Sequence, residues 1–286
     1  MLAQIITLAI CNGSIYALMT IGLTLIFGVL NIVNFAHGEF LMLSLFSAYW
    51  LTTLSGMSPY VSLLIVVPVF FLLGVLIERL LIRPIIDKPF VAQICSTKGL
   101  SLIMMNASLI AWGPSVRTVR ANFAKSVIQF KNIYIPTTHI VSFIIALVAL
   151  GLLFYLLQKT YVGKAIRAVS QNAISAQLAG VNTKQIYGLA FGIGIACTAG
   201  AGVIMSPIYA TTFAIGQTFS SLAFLIVVFG GVRSLTGTVV AAFIMALVEA
   251  LASFYWTIHI KDAVMYAVLL IILLVRPTGL FGSKRG

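Results

Sequence analysis

Asn31-Ile-Val-Asn-Phe-Ala-His-Gly-Glu39 places two amides, an imidazole and a carboxylate between two long apolar runs. Ionisable groups at membrane depth are costly, and they mark a functional site by default. Asn31, Asn34, His37 and Glu39, with Gly38 between them, could line a translocation pathway. They could equally satisfy the open backbone groups of a broken helix, with Asn34 and Glu39 as caps. His37 alone reads as an interhelical hydrogen-bonding residue ahead of a metal ligand. A second acid, Glu249 in Ala246-Leu-Val-Glu-Ala-Leu251, lies within another apolar run. It faces a pore or cavity, or pairs with His259 or Arg233.

Catalytic chemistry finds little footing. Only five acidic residues occur, and they do not cluster. No Ser-His-Asp or HExxH spacing is present, and no set of metal ligands stands out. A phosphate-binding loop needs GxxxxGK[ST]. Lys164 follows Gly163, but Ala165 stands where Ser or Thr is required, and Gly282-Ser-Lys284 fails as well. The chain is therefore expected to bind no ATP by that route and to hold no cofactor of its own.

A different kind of work is suggested by Gly163-Lys-Ala-Ile-Arg-Ala-Val-Ser-Gln-Asn-Ala-Ile-Ser-Ala-Gln-Leu-Ala-Gly180, a polar, basic island. Ile166, Val169, Ala173 and Ala176 recur at spacings of three and four, which predicts one helical face. Lys164, Arg167, Gln171 and Gln177 lie elsewhere around that helix. Gly180 suits a C-cap and is followed by Asn182. Such a helix could rest on lipid headgroups. Its small, Ala-rich face without Trp or Phe instead suits docking in a shallow protein groove.

The elements that carry these residues are membrane spans. The chain of 286 residues is 61% hydrophobic and 8% charged, with mean hydropathy +1.14. Soluble domains are about 25% charged, and the ten-residue alternation of an outer-membrane barrel is missing. A span needs about 20 apolar residues. Apolar runs fall at about 3–30, 35–54, 60–82, 99–113, 138–158, 187–206, 218–232, 236–256 and 262–276. Residues 31–38 and 230–237 interrupt the pattern, and either could be re-entrant. The expectation is an all-α, polytopic integral membrane helix bundle. It has eight or nine transmembrane helices with one or two broken or re-entrant segments. Residues 1–286 form a single transmembrane domain, with a cytoplasmic loop at 159–186. The N-terminus lacks a basic region before its apolar run, so the first segment is expected to stay as a span.

The net charge of +12 writes topology rather than nucleic-acid binding. With the C-terminus inside, twelve Lys and Arg fall in 79–98, 159–186, 233 and 276–286, among them Lys98, Lys284 and Arg285. Arg117, Arg120, Lys125, Lys131 and Lys261 fall outside, which favours this orientation. The Gly- and Ala-rich run Gly188–Gly202 reads as close helix packing. Cys11, Cys95 and Cys197 are far apart and read as buried free thiols.

Asn12-Gly-Ser-Ile-Tyr-Ala-Leu-Met-Thr-Ile-Gly-Leu-Thr-Leu-Ile-Phe-Gly28 and Asn34-Phe-Ala-His-Gly-Glu39 resemble the LivH-type permease of branched-chain amino-acid ABC importers. The resemblance continues in Glu78-Arg-Leu-Leu-Ile-Arg-Pro84, Gly163-Lys-Ala-Ile-Arg-Ala168, Ala176-Gln-Leu-Ala-Gly-Val181 and Arg276-Pro-Thr-Gly-Leu-Phe281. It spans nearly the whole chain in order. It implies that 163–180 docks on a cytoplasmic ATPase through Lys164, Arg167, Asn172, Ala173, Ala176 and Gly180. The acidic residue of the family pattern is missing there, and Asn172 or a neighbour takes its place.

The resemblance also implies partners. They are a second permease of the LivM type or a second copy of this chain, two ATPase subunits carrying ATP and Mg, and an extracytoplasmic binding protein. It places the chain in the bacterial plasma membrane, multi-pass, with the C-terminus cytoplasmic. Branched-chain or other hydrophobic amino acids, short amides and urea are all substrates of such permeases. Rival classes are a secondary transporter, in which Glu39 and Glu249 would couple ions, a membrane-embedded enzyme and a membrane scaffold.

Overall fold

A computed structural model describes residues 2–119, 126–130, 133–256 and 260–282. His259 and the cations Arg120, Lys125, Lys131, Lys284 and Arg285 lie outside the described residues. The described chain is a bundle of α-helices. In order these are α1 (Leu2–Leu30), α2 (His37–Ser55), α3 (Leu63–Ile77), α4 (Phe90–Trp112), α5 (Thr137–Lys159), α6 (Tyr161–Gln171), α7 (Ala173–Leu178), α8 (Thr183–Met205), α9 (Ile215–Gly230), α10 (Leu235–Tyr255) and α11 (Lys261–Val275). A π turn over Glu78–Ile82 and a 3-10 turn over Arg83–Ile85 prolong α3. Among the described residues, six helices are long and apolar enough to cross a membrane: α1, α3 with its extension, α4, α5, α8 and α10. One departure from an all-α chain is a small antiparallel hairpin, Val127–Phe130 against Ile133–Pro136, where the sequence suggested only loop.

Two sets of helices, α1–α4 and α8–α11, are built alike and run in opposite directions. In each set a long helix is followed by an irregular return and then a shorter helix that starts inside the bundle. α1 and α8 cross antiparallel where Gly22 meets Gly194, and a Cβ on either would strike the other's carbonyl. In turn α1 packs on α10, and α3 packs on α8. Small residues allow this approach where lipid gives helices no hydrophobic reason to associate. No internal sequence repeat announces the arrangement, because only the order of elements and their packing are shared.

The first return begins at Asn31, whose φ of 57° ends α1 in the left-handed region. Asn tolerates that conformation better than most residues. α2 then starts at His37, beside Met19 in the middle of α1. The second return, 206–214, ends at α9, whose first turn meets that of α2. The break expected at 230–237 is instead a tight corner between α9 and α10. There Gly231 has φ 102°. The tail supports this corner: the N–H groups of Leu280 and Phe281 donate to the carbonyls of Phe229 and Gly230, at 2.9 and 3.2 Å. The last carbonyls of α9 are thus satisfied by the chain itself.

α4 starts nine residues before the expected 99. Its first turns carry Gln93, Thr97 and Lys98, which hid its apolar character. Gln93 and Thr97 are turned inward. Gln93 Nε2 donates to the carbonyls of Ile86 and Lys88, and Thr97 Oγ1 donates to that of Val33, at 3.1 Å. Lys98 therefore lies within a helix, eight residues past Phe90, rather than in a loop. Cys95, on the same helix, is exposed rather than buried.

Candidate functional site

The polar motif at 31–39 comes together at the meeting of the two inner helix starts. Asn34 Oδ1 accepts from the Ala36 N–H at 3.1 Å, holding the turn that leads into α2. His37 Nε2 lies 3.0 Å from the Met19 carbonyl oxygen and 2.9 Å from Thr198 Oγ1. A carbonyl can only accept, so Nε2 carries the proton. His37 thereby ties α2 to both α1 and α8, as an interhelical hydrogen-bonding residue. The N–H of Gly38 donates to Ser220 Oγ on α9 at 2.9 Å.

Glu39 is fully buried, and Ser101 on α4 donates to its Oε1 at 3.2 Å. Its Oε2 lies against Gly216, in the first turn of α9, with no hydrogen-bond partner among the described residues. A carboxylate in the first turn of α2, beside the N-terminal turn of α9, faces the positive ends of two helix dipoles. Gly38 and Gly216 make this approach possible. A Cβ on Gly38 would collide with the Gly216 carbonyl, and one on Gly216 with the Glu39 carboxylate. The sequence singled out Asn34, His37, Gly38 and Glu39 but not their counterparts Thr198, Gly216, Ser220 and Ser101. Those are small, common residues, and nothing in their local pattern sets them apart.

Asn31 belongs elsewhere. Its Oδ1 accepts from the Arg233 guanidinium at the bundle end where α1 stops and α10 starts. Arg233 is thus not the partner of Glu249. Glu249 sits near the opposite end, where Lys261 Nζ donates to Oε1 at 2.5 Å and Tyr16 donates to Oε2 at 2.9 Å. Tyr209, on the second return, lies 3.0 Å from the Tyr16 hydroxyl. The group lines a cavity of about 360 Å³ together with Phe219, Leu222 and Met265.

The segment 163–180 is not one helix. Asn172 breaks it with φ −154° and caps α7, its Oδ1 accepting from the Ser175 N–H at 2.9 Å. An Asn side chain that can bond its own downstream backbone favours a cap over a helix interior. Thr160 caps α6 in the same manner through the Gly163 N–H. The corner from α5 to α6 is tight, since a Cβ on Gly163 would meet the carbonyls of Leu156 and Leu157. Gly180, with φ 85°, closes α7. Its N–H donates to Gln177 and that of Val181 to Ala176, both at 3.0 Å, the paired pattern of a glycine C-cap.

Ile166, Val169 and Ala176 are buried and Ala173 is half-buried, so the expected small-residue face packs on the chain's own helices. The outward side carries instead Ile174 and Leu178, 73% and 85% exposed. They are one turn apart on α7. Lys164 is exposed, and Arg167 donates to the carbonyl of Leu157.

A brace overlooked in the sequence lies beside this segment, at the start of α8. Arg83 donates to buried Glu78 through Nε at 3.1 Å and through Nη2 at 2.6 Å, and Nη2 also reaches the Lys184 carbonyl at 2.9 Å. It links the π turn after α3 to the start of α8. π turns recur at functional positions, and the five-residue spacing of Glu78 and Arg83 is the signal that was available.

A profile of the family described as "Branched-chain amino acid transport system / permease component" matches residues 5–273. The chain is similar to the high-affinity branched-chain amino acid transport system permease protein LivH of Escherichia coli (strain K12), with 29% identity over 94% of this chain and 92% of that protein. BraD of Pseudomonas aeruginosa, a permease protein of the same description, is 28% identical over 94% of this chain and 92% of its own length. A probable branched-chain amino acid transport permease protein LivH of Methanocaldococcus jannaschii is 28% identical over 86% of this chain and 80% of its own. No solved structure matches. A chain matched from residue 5 to residue 273, folded as a bundle of membrane-length helices, belongs to the family of permease components of branched-chain amino acid transport systems, and is a transport protein rather than an enzyme.

Proposed function

We propose that the chain is one permease subunit of an ATP-driven importer that carries branched-chain or other hydrophobic amino acids across a bacterial plasma membrane. The substrate reading follows the branched-chain amino acid transport systems to which its relatives belong. Nine crossings, made by α1 to α5 and α8 to α11, suit the alternating helix directions. The ends that gather Asn31, Arg83, Lys184, Arg233 and Phe281 would lie inside. Nine described cations sit at that end: Arg79, Arg83, Lys88, Lys159, Lys164, Arg167, Lys184, Arg233 and Arg276. Arg117 and Lys261 sit at the other, and the excess of basic residues favours the cytoplasm for the first.

The observation that carries the coupling role is the pair Ile174 and Leu178, exposed at this basic end on a capped helix. Two aliphatic side chains one turn apart are what a groove on a soluble partner takes up. In this reading two ATPase subunits hold ATP and Mg, and one docks on α7, with Lys164 at the rim of the contact. A second permease, or a second copy of this chain, completes the pathway, and an extracytoplasmic protein delivers the substrate. Closure of the ATPases moves α6 and α7. α6 and α7 pack on α8 and pass the motion to it, and the Arg83 brace carries it from the start of α8 to α3, and so to the junction at Glu39.

Purification of the co-expressed subunits tests this. Ile174→Asp with Leu178→Asp is expected to leave the chain inserted and to strip the ATPase from it. Retention of the ATPase by the double variant would contradict the docking assignment.

A further inference from the structure

The junction at Glu39 has an outer wall that the transport reading does not yet use. A cavity of about 420 Å³ opens between α4 and α9, lined by Phe35, Lys98, Ser101, Gln217, Ser221 and Phe224. It opens along α4, a helix long and apolar enough to cross a membrane. Lys98 is about 12 Å along α4 from its start, at 1.5 Å per residue. One turn further, Ser101 lines the cavity and donates to Glu39 Oε1 at 3.2 Å, so the carboxylate stands one hydroxyl behind the wall. Lys98 is exposed, and its charge acts on the buried Glu39 carboxylate through space, but no hydrogen-bond or close ion-pair partner among the described residues meets its ammonium. Gln217 and Ser221 are exposed one turn apart on α9. Phe35 and Phe224 pack with ring centroids 5.0 Å apart and form the apolar side.

A charged and amide-bearing wall is poorly suited to lipid. It suits a solute, with the second permease closing the open side. The contents fit one class of small molecule. An ammonium accepts a carboxylate, hydroxyls and an amide carbonyl accept an α-ammonium, and two phenyl rings cover an aliphatic side chain. Urea and neutral amides have no carboxylate for Lys98. We propose that this niche is a transient binding site for an aliphatic α-amino acid on its way through the membrane, with Lys98 holding the carboxylate. The inference rests on the transport reading and deepens it, because it assigns the recognised chemistry to this chain as well as to a delivery protein.

The test uses the assembled importer in vesicles, with ATP inside, its binding protein outside and radiolabelled leucine. Lys98→Met is expected to lower uptake at least tenfold while subunit assembly and basal ATP hydrolysis stay unchanged. Lys98→Arg, which keeps a cation, is expected to retain a third or more of the uptake. Should Lys98→Met fail to assemble, Ser221→Cys, which keeps the Lys98 ammonium, decides, in a background where Cys11, Cys95 and Cys197 are Ser. An anionic thiol reagent is then expected to modify the introduced thiol and block uptake, and saturating leucine to slow the modification at least threefold. Wild-type uptake in Lys98→Met, or modification that leucine does not slow, would overturn the niche and leave Lys98 a lysine that reaches for the membrane surface. Absence of ATP-driven leucine uptake in the wild type would overturn the transport reading, and the niche with it.

Discussion

The two helix starts that meet in the middle of the bundle do the same structural work with different residues. The return before α2 is polar, with Asn34, His37 and Glu39 all buried. The start of α9 is small and neutral where it counts, at Gly216 and Ser220. One side brings charge and donors, and the other brings room and an acceptor. Gly38 donates to Ser220, and Glu39 lies over Gly216. A buried carboxylate needs compensation, and here the first turn of a second helix and the Ser101 hydroxyl supply it. The polar side is conspicuous in sequence while the accommodating side is not, although each depends on the other.

The comparison can be broken from either side. The largest effect is expected from Gly38→Val. Its Cβ would press on the Gly216 carbonyl and the Ser220 backbone, neither of which can yield. Overpacking of this kind costs about 3 kcal/mol, read as a loss of folded protein on size-exclusion after mild heating. Unchanged melting would show that the two turns are not in contact. Gly216→Ala is expected to cost less, about 1–2 kcal/mol, because its Cβ meets a side-chain carboxylate that can shift. That cost should shrink when Glu39→Ala is added, since the obstacle is gone, and strict additivity would deny the contact.

Ser220→Ala leaves the buried Gly38 N–H unpaired and also removes a long donation, 3.5 Å, to the Phe35 carbonyl. About 1 kcal/mol is expected from thermal melting, with no change in expression. The smallest effect belongs to the outer end. Glu249→Gln weakens a pair whose side chains are 17% and 26% exposed. Partly exposed pairs contribute about 0–1 kcal/mol, so melting should move little, and a loss as large as that of Gly38→Val would reverse the ranking.

Much of the fold was legible because apolar runs of span length write themselves into composition. The boundaries of α4 were not, since Gln93, Thr97 and Lys98 look like a loop until their partners are known. The split of 163–180 was hidden for a related reason. Ile166, Val169, Ala173 and Ala176 keep one spacing across Asn172, so periodicity runs through a break that only the capping bond defines. Asn34, His37 and Glu39 stood out by type, and the structure places them together. Asn31 and Glu249 stood out equally but lie at opposite ends, with Arg233 and with Lys261. The pairing of Asn31 with Arg233 spans 202 residues and leaves no local signal, that of Glu249 with Lys261 spans only twelve but crosses from α10 to α11, and the inverted likeness of α1–α4 to α8–α11 leaves no signal either.

The central claim is that ATP held by partner subunits drives this chain through α7. Leucine uptake into vesicles bearing the complete importer, with and without ATP inside, tests it most directly. Uptake is expected to require ATP, to ignore collapse of ion gradients and to vanish with Ile174→Asp and Leu178→Asp. Uptake that survives without ATP and falls with an ion gradient would contradict the account and make the chain a secondary transporter.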